Sequence, residues 1–349
     1  MSTWLTTHIH GARHSRWALV AAFLPIVGAA LYLMSGSGHV ATPSTASPQS
    51  PPPLEKLTWA PPKLRQAKVV HPPNGENPAI LRLDPQRDYV VKLPPHGLRG
   101  TLEINGGHNV VVIGGEVRVP STANQTDNGA DGTDTAIYVR ASTGTVHIEG
   151  VLIRADDDTQ YDGIDVNAPE ATVQVENVRV EDVYGSRTTE HADVIQTWGG
   201  VKELDVDGLT ARGDYQGLTV APDLGAVGSV HLKHVDLTAE AAPPSLARAT
   251  VGGGIMLWLT EGTGTCNSPT VTLKHVFIAN RTSRIRSTET VWPSPGSDLE
   301  CAATVSDGRV EWPSLPVSGA VTIGAPRHGS FVPVGVAGRS YRSPGYVSS

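Results

Sequence analysis

Val173-Gln-Val-Glu-Asn-Val-Arg-Val180 is apolar at its first, third, sixth and eighth residues. Alternation at period two marks a strand with one face turned inward, and the doubled step in the middle marks a bend that resets that face. Four other stretches superimpose on it: Val146-His-Ile-Glu-Gly-Val-Leu-Ile153, Leu204-Asp-Val-Asp-Gly-Leu-Thr-Ala211, Val230-His-Leu-Lys-His-Val-Asp-Leu237 and Val271-Thr-Leu-Lys-His-Val-Phe-Ile278. The residue at the bend is Gly150, Asn177, Gly208, His234 or His275, types that accept a left-handed backbone better than most. Each stretch therefore reads as two short strands around a corner.

A second series lies between these stretches: Ile137-Tyr-Val139, Ile164-Asp-Val166, Ile195-Gln-Thr197, Leu218-Thr-Val220 and Ile255-Met-Leu257. Its spacings are 27, 31, 23 and 37 residues, against 27, 31, 26 and 41 for the first series. The two advance together, so each turn of chain supplies the same strands in the same order. With no helical pattern between them, this period predicts an all-β parallel solenoid in which each coil stacks on the last. Leucine-rich repeats would need a Leu consensus and an Asn ladder that are missing, and an antiparallel sandwich would not hold two strand series in phase.

Composition agrees. Gly (37) and Pro (27) make up about 18% of the 349 residues, against about 12% in average usage, while charged residues are only 17%. Coiled coils and helical arrays are excluded. Residues 1–62 carry Arg13, Arg16 and Lys56 against Glu55, which leaves 24 basic and 33 acidic residues, a net −9, in the remainder. A nucleic-acid groove would want the opposite sign.

The N-terminus reads as an address. Residues 1–16 form a cytoplasmic n-region, and 17–34 (WALVAAFLPIVGAALYLM) run without a charge. Eighteen residues at 1.5 Å each span about 27 Å, enough for a bilayer core of roughly 30 Å. The segment is a transmembrane signal anchor or, if cleaved, a signal peptide. Residues 35–62, rich in Pro, Ser and Thr, read as an extended linker. The folded domain is thus expected at 63–349 outside the cytoplasm, at the cell membrane or secreted. Cys266 and Cys301 fit a disulfide in that oxidising compartment, with two unrelated thiols as the alternative. Residues from about 281 onward read as irregular loops and a cap.

On its repeats, the stretch 89–280 resembles the right-handed parallel β-helix of the pectate-lyase-like superfamily. The resemblance implies that fold. Tyr161-Asp-Gly-Ile-Asp165 is similar to part of the polygalacturonase signature, although no Gly-His-Gly and no Arg-x-Lys follow. The His-x-Asp-x-Ile-Gln run at 191–196 looks like one in exported bacterial β-helix proteins of unassigned activity. Neither similarity transfers a catalytic role.

If Ile164, Ile195 and Leu218 point inward, their neighbours form outward columns across the coils. One would read Tyr138, Asp165, Gln196, Thr219 and Met256; the next Arg140, Asn167, Trp198, Ala221 and Trp258. Stacked strands lie about 4.8 Å apart, close to the repeat of sugar rings. Tyr138, Arg140, Asn167, Gln196 and Trp198 are therefore candidate contacts to a polysaccharide. Asp162 should fall beside Asp193, Asp165 beside Gln196, and Gln160 beside His191.

Two chemistries fit. Hydrolysis needs one protonated and one ionised carboxyl, which Asp165 with Asp162 or Asp193 could supply. A lyase needs a base, for which His191 is the candidate, and a neutraliser for a uronate carboxylate: Gln196, Asn167, or Ca2+ held by Asp162 and Asp165. Asp162 and Asp193 also share parity with the inward residues, so both could instead bond backbone N–H groups at the strand entrance. The acidic loop 126–134 (TDNGADGTD) and Asp156-Asp-Asp158 read as corner insertions. The expectation is a monomeric, membrane-tethered protein that acts on an extracellular polysaccharide. The alternative is a non-catalytic glycan-binding or envelope structural protein.

Overall fold

The computed structural model describes residues 54–73, 77–121, 134–187, 190–244, 253–261 and 265–347. The expected n-region, the apolar span 17–34, the linker up to residue 53 and the acidic loop up to residue 133 lie outside them. Among the described residues no helix is long and apolar enough to cross a membrane.

The chain is all-β, with one short 3-10 turn at Ser287–Glu289 among the described residues. Its sheet is long and mostly parallel, compatible with a β-helix-like solenoid. The first series pairs in register from repeat to repeat: Tyr89 with Val110, Val110 with Val146, Val146 with Val173, Val173 with Leu204, Leu204 with Val230, and Val230 with Val271. The ladder starts one repeat earlier, where Lys68 pairs with Tyr89, and ends one later, where Val271 pairs with Val317.

The inward pattern holds residue by residue. Val173, Val175, Val178, Leu204, Val206 and Leu209 are all fully buried, as are Ile137, Ile164, Ile195 and Leu218 in the second series. The bends are left-handed, as their residue types allow, with φ of +49° at Asn177, +50° at His234 and +55° at His275. A Cβ at Gly208, whose φ is +82°, would meet the Asn177 side-chain oxygen at 2.6 Å. Both backbone angle and the close approach of the previous corner demand glycine there.

Residues 54–62 and those beyond 281 depart from expectation. Residues 54–62, expected as linker, lie against the sheet: Leu57 is buried and bridges Tyr346, and the Thr58 N–H donates to Asp207 at 2.9 Å. Pro and Ser dilute apolar content locally, but one well-placed Leu is enough to dock a strand end. The region beyond 281 is more regular than expected. Val291–Trp292 and Val321–Ile323 extend the parallel ladder, and Thr304–Ser306 pairs antiparallel with Arg309–Glu311. The chain then returns along the sheet: the N–H of Phe331 donates to Asp236, the Arg179 guanidinium to the carbonyl of Val332, and the Tyr341 hydroxyl to Glu149.

Cys266 and Cys301, 35 positions apart in sequence, are joined. On the chain-entropy argument the bridge stabilises the domain by about 4 kcal/mol. The double substitution to Ser should therefore lower unfolding free energy by about that amount in urea titrations, and reductant should leave the variant unchanged while destabilising wild type.

Candidate functional site

Thr135–Arg140, the first residues of Asp162–Val183 and of Ile195–Gly213, and Gln216–Thr219 lie side by side in the second series. Their backbones approach closely at the strand entrance. A Cβ at Gly163 would stand 2.4 Å from the carbonyl oxygen of Val194, and one at Gly217 would stand 2.1 Å from that of Met256. These glycines let successive acidic residues stack: the Asp162 N–H donates to the Asp134 carbonyl at 2.9 Å, and the Gly163 N–H to the Asp193 carbonyl at 2.8 Å.

The side chains gather there. Asp162 Oδ1 accepts the N–H of Asp193 at 2.5 Å, the backbone role that its parity with Ile164 allowed. Asp165 Oδ2 accepts the Thr135 hydroxyl at 2.8 Å, while its Oδ1 is buried with no hydrogen-bond partner. Asp193 accepts the Thr219 hydroxyl, and the Gln216 amide, oriented by its hydrogen bonds, donates to Asp193 Oδ2 at 3.0 Å. Glu190, whose N–H donates to Gln160, completes the group with Asp134. All five acids are 4% exposed or less.

Buried carboxyls close together resist ionisation. Burial raises Asp165 to about 7, partly opposed by the Thr135 hydroxyl and reinforced by the Asp134 charge. Burial, a bond to Asp134 and the charges of Asp165 and Asp193 raise Glu190 to about 10. Asp162 and Asp193 are pushed well above the usual carboxylate range, first by burial and then by the neighbouring acids. Asp165 is thus the member that ionises near neutrality. Asp162 and Asp165, the pair expected to hold Ca2+, both belong to this group, but among the described residues the clusters whose ligand atoms converge lie elsewhere, at His147, Glu149 and Glu176 and at Glu203, Asp205 and His231.

Several expected placements change. His191 does not join the acids: its ring is exposed, Nε2 lies 3.1 Å from the Arg187 carbonyl, and the ring faces Tyr215 at 5.6 Å. Glu190, one residue earlier, turns inward instead. Along the outward column Leu218 pairs with Leu257 rather than Ile255, so Trp258 stands beside Thr219 and Met256 is buried. A slip of two residues keeps every side chain on its own face, so alternation alone could not choose between these registers.

The second column breaks at a bulge. Asn167 pairs with Gly200, not Trp198. A Cβ at Gly199 would lie 2.1 Å from the Asn167 side chain, and the extra residues push Trp198 out to 39% exposure. The column itself is less open than a solvated sheet face: Tyr138, Asp165 and Thr219 are buried, while Gln196 and Asn167 are half-buried. Tyr138 meets Asn167 at 3.5 Å and the Arg140 guanidinium at 6.0 Å.

Asp134, Thr135, Glu190, Gln216 and Trp292 join the site without being expected there, whereas Thr219 stands in the outward column as expected. Trp292 extends the column beside Trp258, with ring centroids 5.6 Å apart. The match of Val291-Trp292 to Leu257-Trp258 was a usable signal. Two cavities of about 540 and 490 Å3 open elsewhere, against the returning C-terminal segment, and neither is lined by these acids. No family of known proteins, no curated protein and no solved structure matches the chain.

Proposed function

We propose that the chain is a right-handed parallel β-helix of the pectate-lyase-like kind, held at the outer face of a membrane by residues 17–34, that hydrolyses an extracellular polysaccharide. The observation that carries the activity is the gathering of Asp162, Asp165, Glu190 and Asp193 at one strand entrance beside the outward column, where Asp165 Oδ1 is buried without a hydrogen-bond partner and burial raises all four carboxyls. Asp165 acts as the base or nucleophile, and Asp162 or Asp193 as the proton donor to the glycosidic oxygen. Gln196, Asn167, Trp198, Trp258 and Trp292 line the path along which the sugar rings lie. The position of His191 favours hydrolysis over elimination, because its exposed ring lies against Tyr215 and not among the acids.

A non-catalytic glycan-binding or envelope role is favoured by one observation, the commitment of Asp162 to the backbone N–H of Asp193. A glycan panel separates the two. New reducing ends without unsaturated products, rising with pH through about 7, are expected of wild type. The rate should fall by about 10²-fold or more in Asp165→Asn. Binding without turnover, the same in wild type and variant, would establish the non-catalytic role.

A further inference from the structure

The fully buried polar groups on the outer side of the first strand series belong to no part of that reading. In the first series, the outward residues His147, Glu149 and Glu176 converge from adjacent repeats beneath the segments that carry Trp59 and Tyr341. All three are fully buried. His147 Nδ1 lies 2.9 Å from the side-chain oxygen of Gln174, whose amide also bonds Asp205. That partner fixes a proton on Nδ1 and directs Nε2 at Glu149 Oε2, 3.0 Å away, and at Glu176 Oε2, 3.9 Å away. Glu176 Oε2 is buried without a hydrogen-bond partner.

We propose that His147 Nε2, Glu149 Oε2 and Glu176 Oε2 bind a divalent transition-metal ion of the zinc class. One imidazole nitrogen and two carboxylate oxygens form a donor set for zinc rather than calcium. A tetrahedral ion with bonds of about 2.0–2.2 Å holds its ligand atoms roughly 3.3 Å apart, and the three atoms present lie within 4.8 Å of one another. The Gln174 oxygen on Nδ1 is the outer partner that such a histidine ligand characteristically has. The Tyr346 hydroxyl donates to Glu149 Oε2 and so helps to hold that carboxylate in place.

The ion would act as a clasp. Glu176 Oε1 accepts the Trp59 N–H at 2.9 Å, and Glu149 Oε1 accepts the Tyr341 hydroxyl at 2.7 Å. Metal bound between these glutamates joins two repeats and both terminal segments, and it neutralises acids that otherwise face each other out of water. The inference does not depend on any activity toward polysaccharide.

The test uses the full-length chain, stripped with chelator and titrated with zinc chloride. Wild type should take up one equivalent, melt several degrees higher with zinc, and resist proteolysis in 331–347. Glu176→Gln keeps the side chain's shape and should bind at least 100-fold more weakly while melting, without metal, no lower than wild type. X-ray absorption of the zinc-loaded wild type should report a single imidazole with oxygen neighbours, which tests the site even if the variant fails to fold. No stoichiometric uptake, uptake undiminished in Glu176→Gln, or a shell with several imidazoles would overturn the assignment.

Discussion

Raising the pH from 5 to 8 in the presence of chelator should destabilise the folded chain by about 4 kcal/mol for each proton that the acidic group retains across that interval. The sign follows from the direction of the shifts. Asp162, Asp165, Glu190 and Asp193 all titrate higher in the folded chain than in an unfolded one. Between the ordinary carboxylate range, about pH 4, and these raised values the folded state holds more protons, so its stability falls as the pH rises. Glu190, raised to about 10, stays protonated throughout the interval. Below about pH 4 the slope reverses, because Asp88, Asp156, Glu149 and Asp207 titrate lower in the folded chain. Their contribution is lost as they take up protons.

Urea midpoints measured from pH 3 to 9 should therefore peak near pH 4. Glu190→Gln should flatten the alkaline limb, because the amide needs no proton to stay neutral. A profile that is level or rising between pH 5 and 8 would contradict the arrangement. Calcium that restores the pH 5 midpoint at pH 8 would mean that a cation takes the protons' place at Asp162 and Asp165.

Tyr341→Ala should cost about 3–5 kcal/mol, the range for emptying a buried aromatic site. The ring is 6% exposed and fills space left by Gly150, where a Cβ would approach it to 2.1 Å. Its hydroxyl accepts from Asn177 at 3.0 Å and donates to Glu149 at 2.7 Å, so truncation also strips partners from two buried polar groups. Tyr341→Phe separates the two contributions and should cost about 1–3 kcal/mol. The measurements are urea unfolding and the rate of proteolysis within 331–347. A loss under about 1 kcal/mol for the alanine variant would mean that the returning segment rests on the sheet without stabilising it.

How far the sequence could be read depended on which face of the strands was in question. Val173, Val175, Val178 and Val180 announced their burial because alternation and a corner residue are local properties, repeated at every turn of chain. The pairing of Asp165 with Gln196 followed from the same periodicity, as did the meeting of Asp162 and Asp193. His191 and Glu190 are adjacent, and either could have turned inward; only the packing of the corner against Gln160 and Gln216 chose the glutamate.

By itself, then, the sequence determined the strand repeats, their left-handed corners, the inward residues and the gathering of three acids. The tertiary structure alone decided the register of Trp258, the bulge that expels Trp198, and the fate of the outward residues His147, Glu149 and Glu176. An inward residue is buried by its own repeat and the next, a contact the period encodes. An outward one is buried by whatever segment crosses it. For Glu149 that segment carries Tyr341, 192 residues away, and no local pattern reports so distant a neighbour.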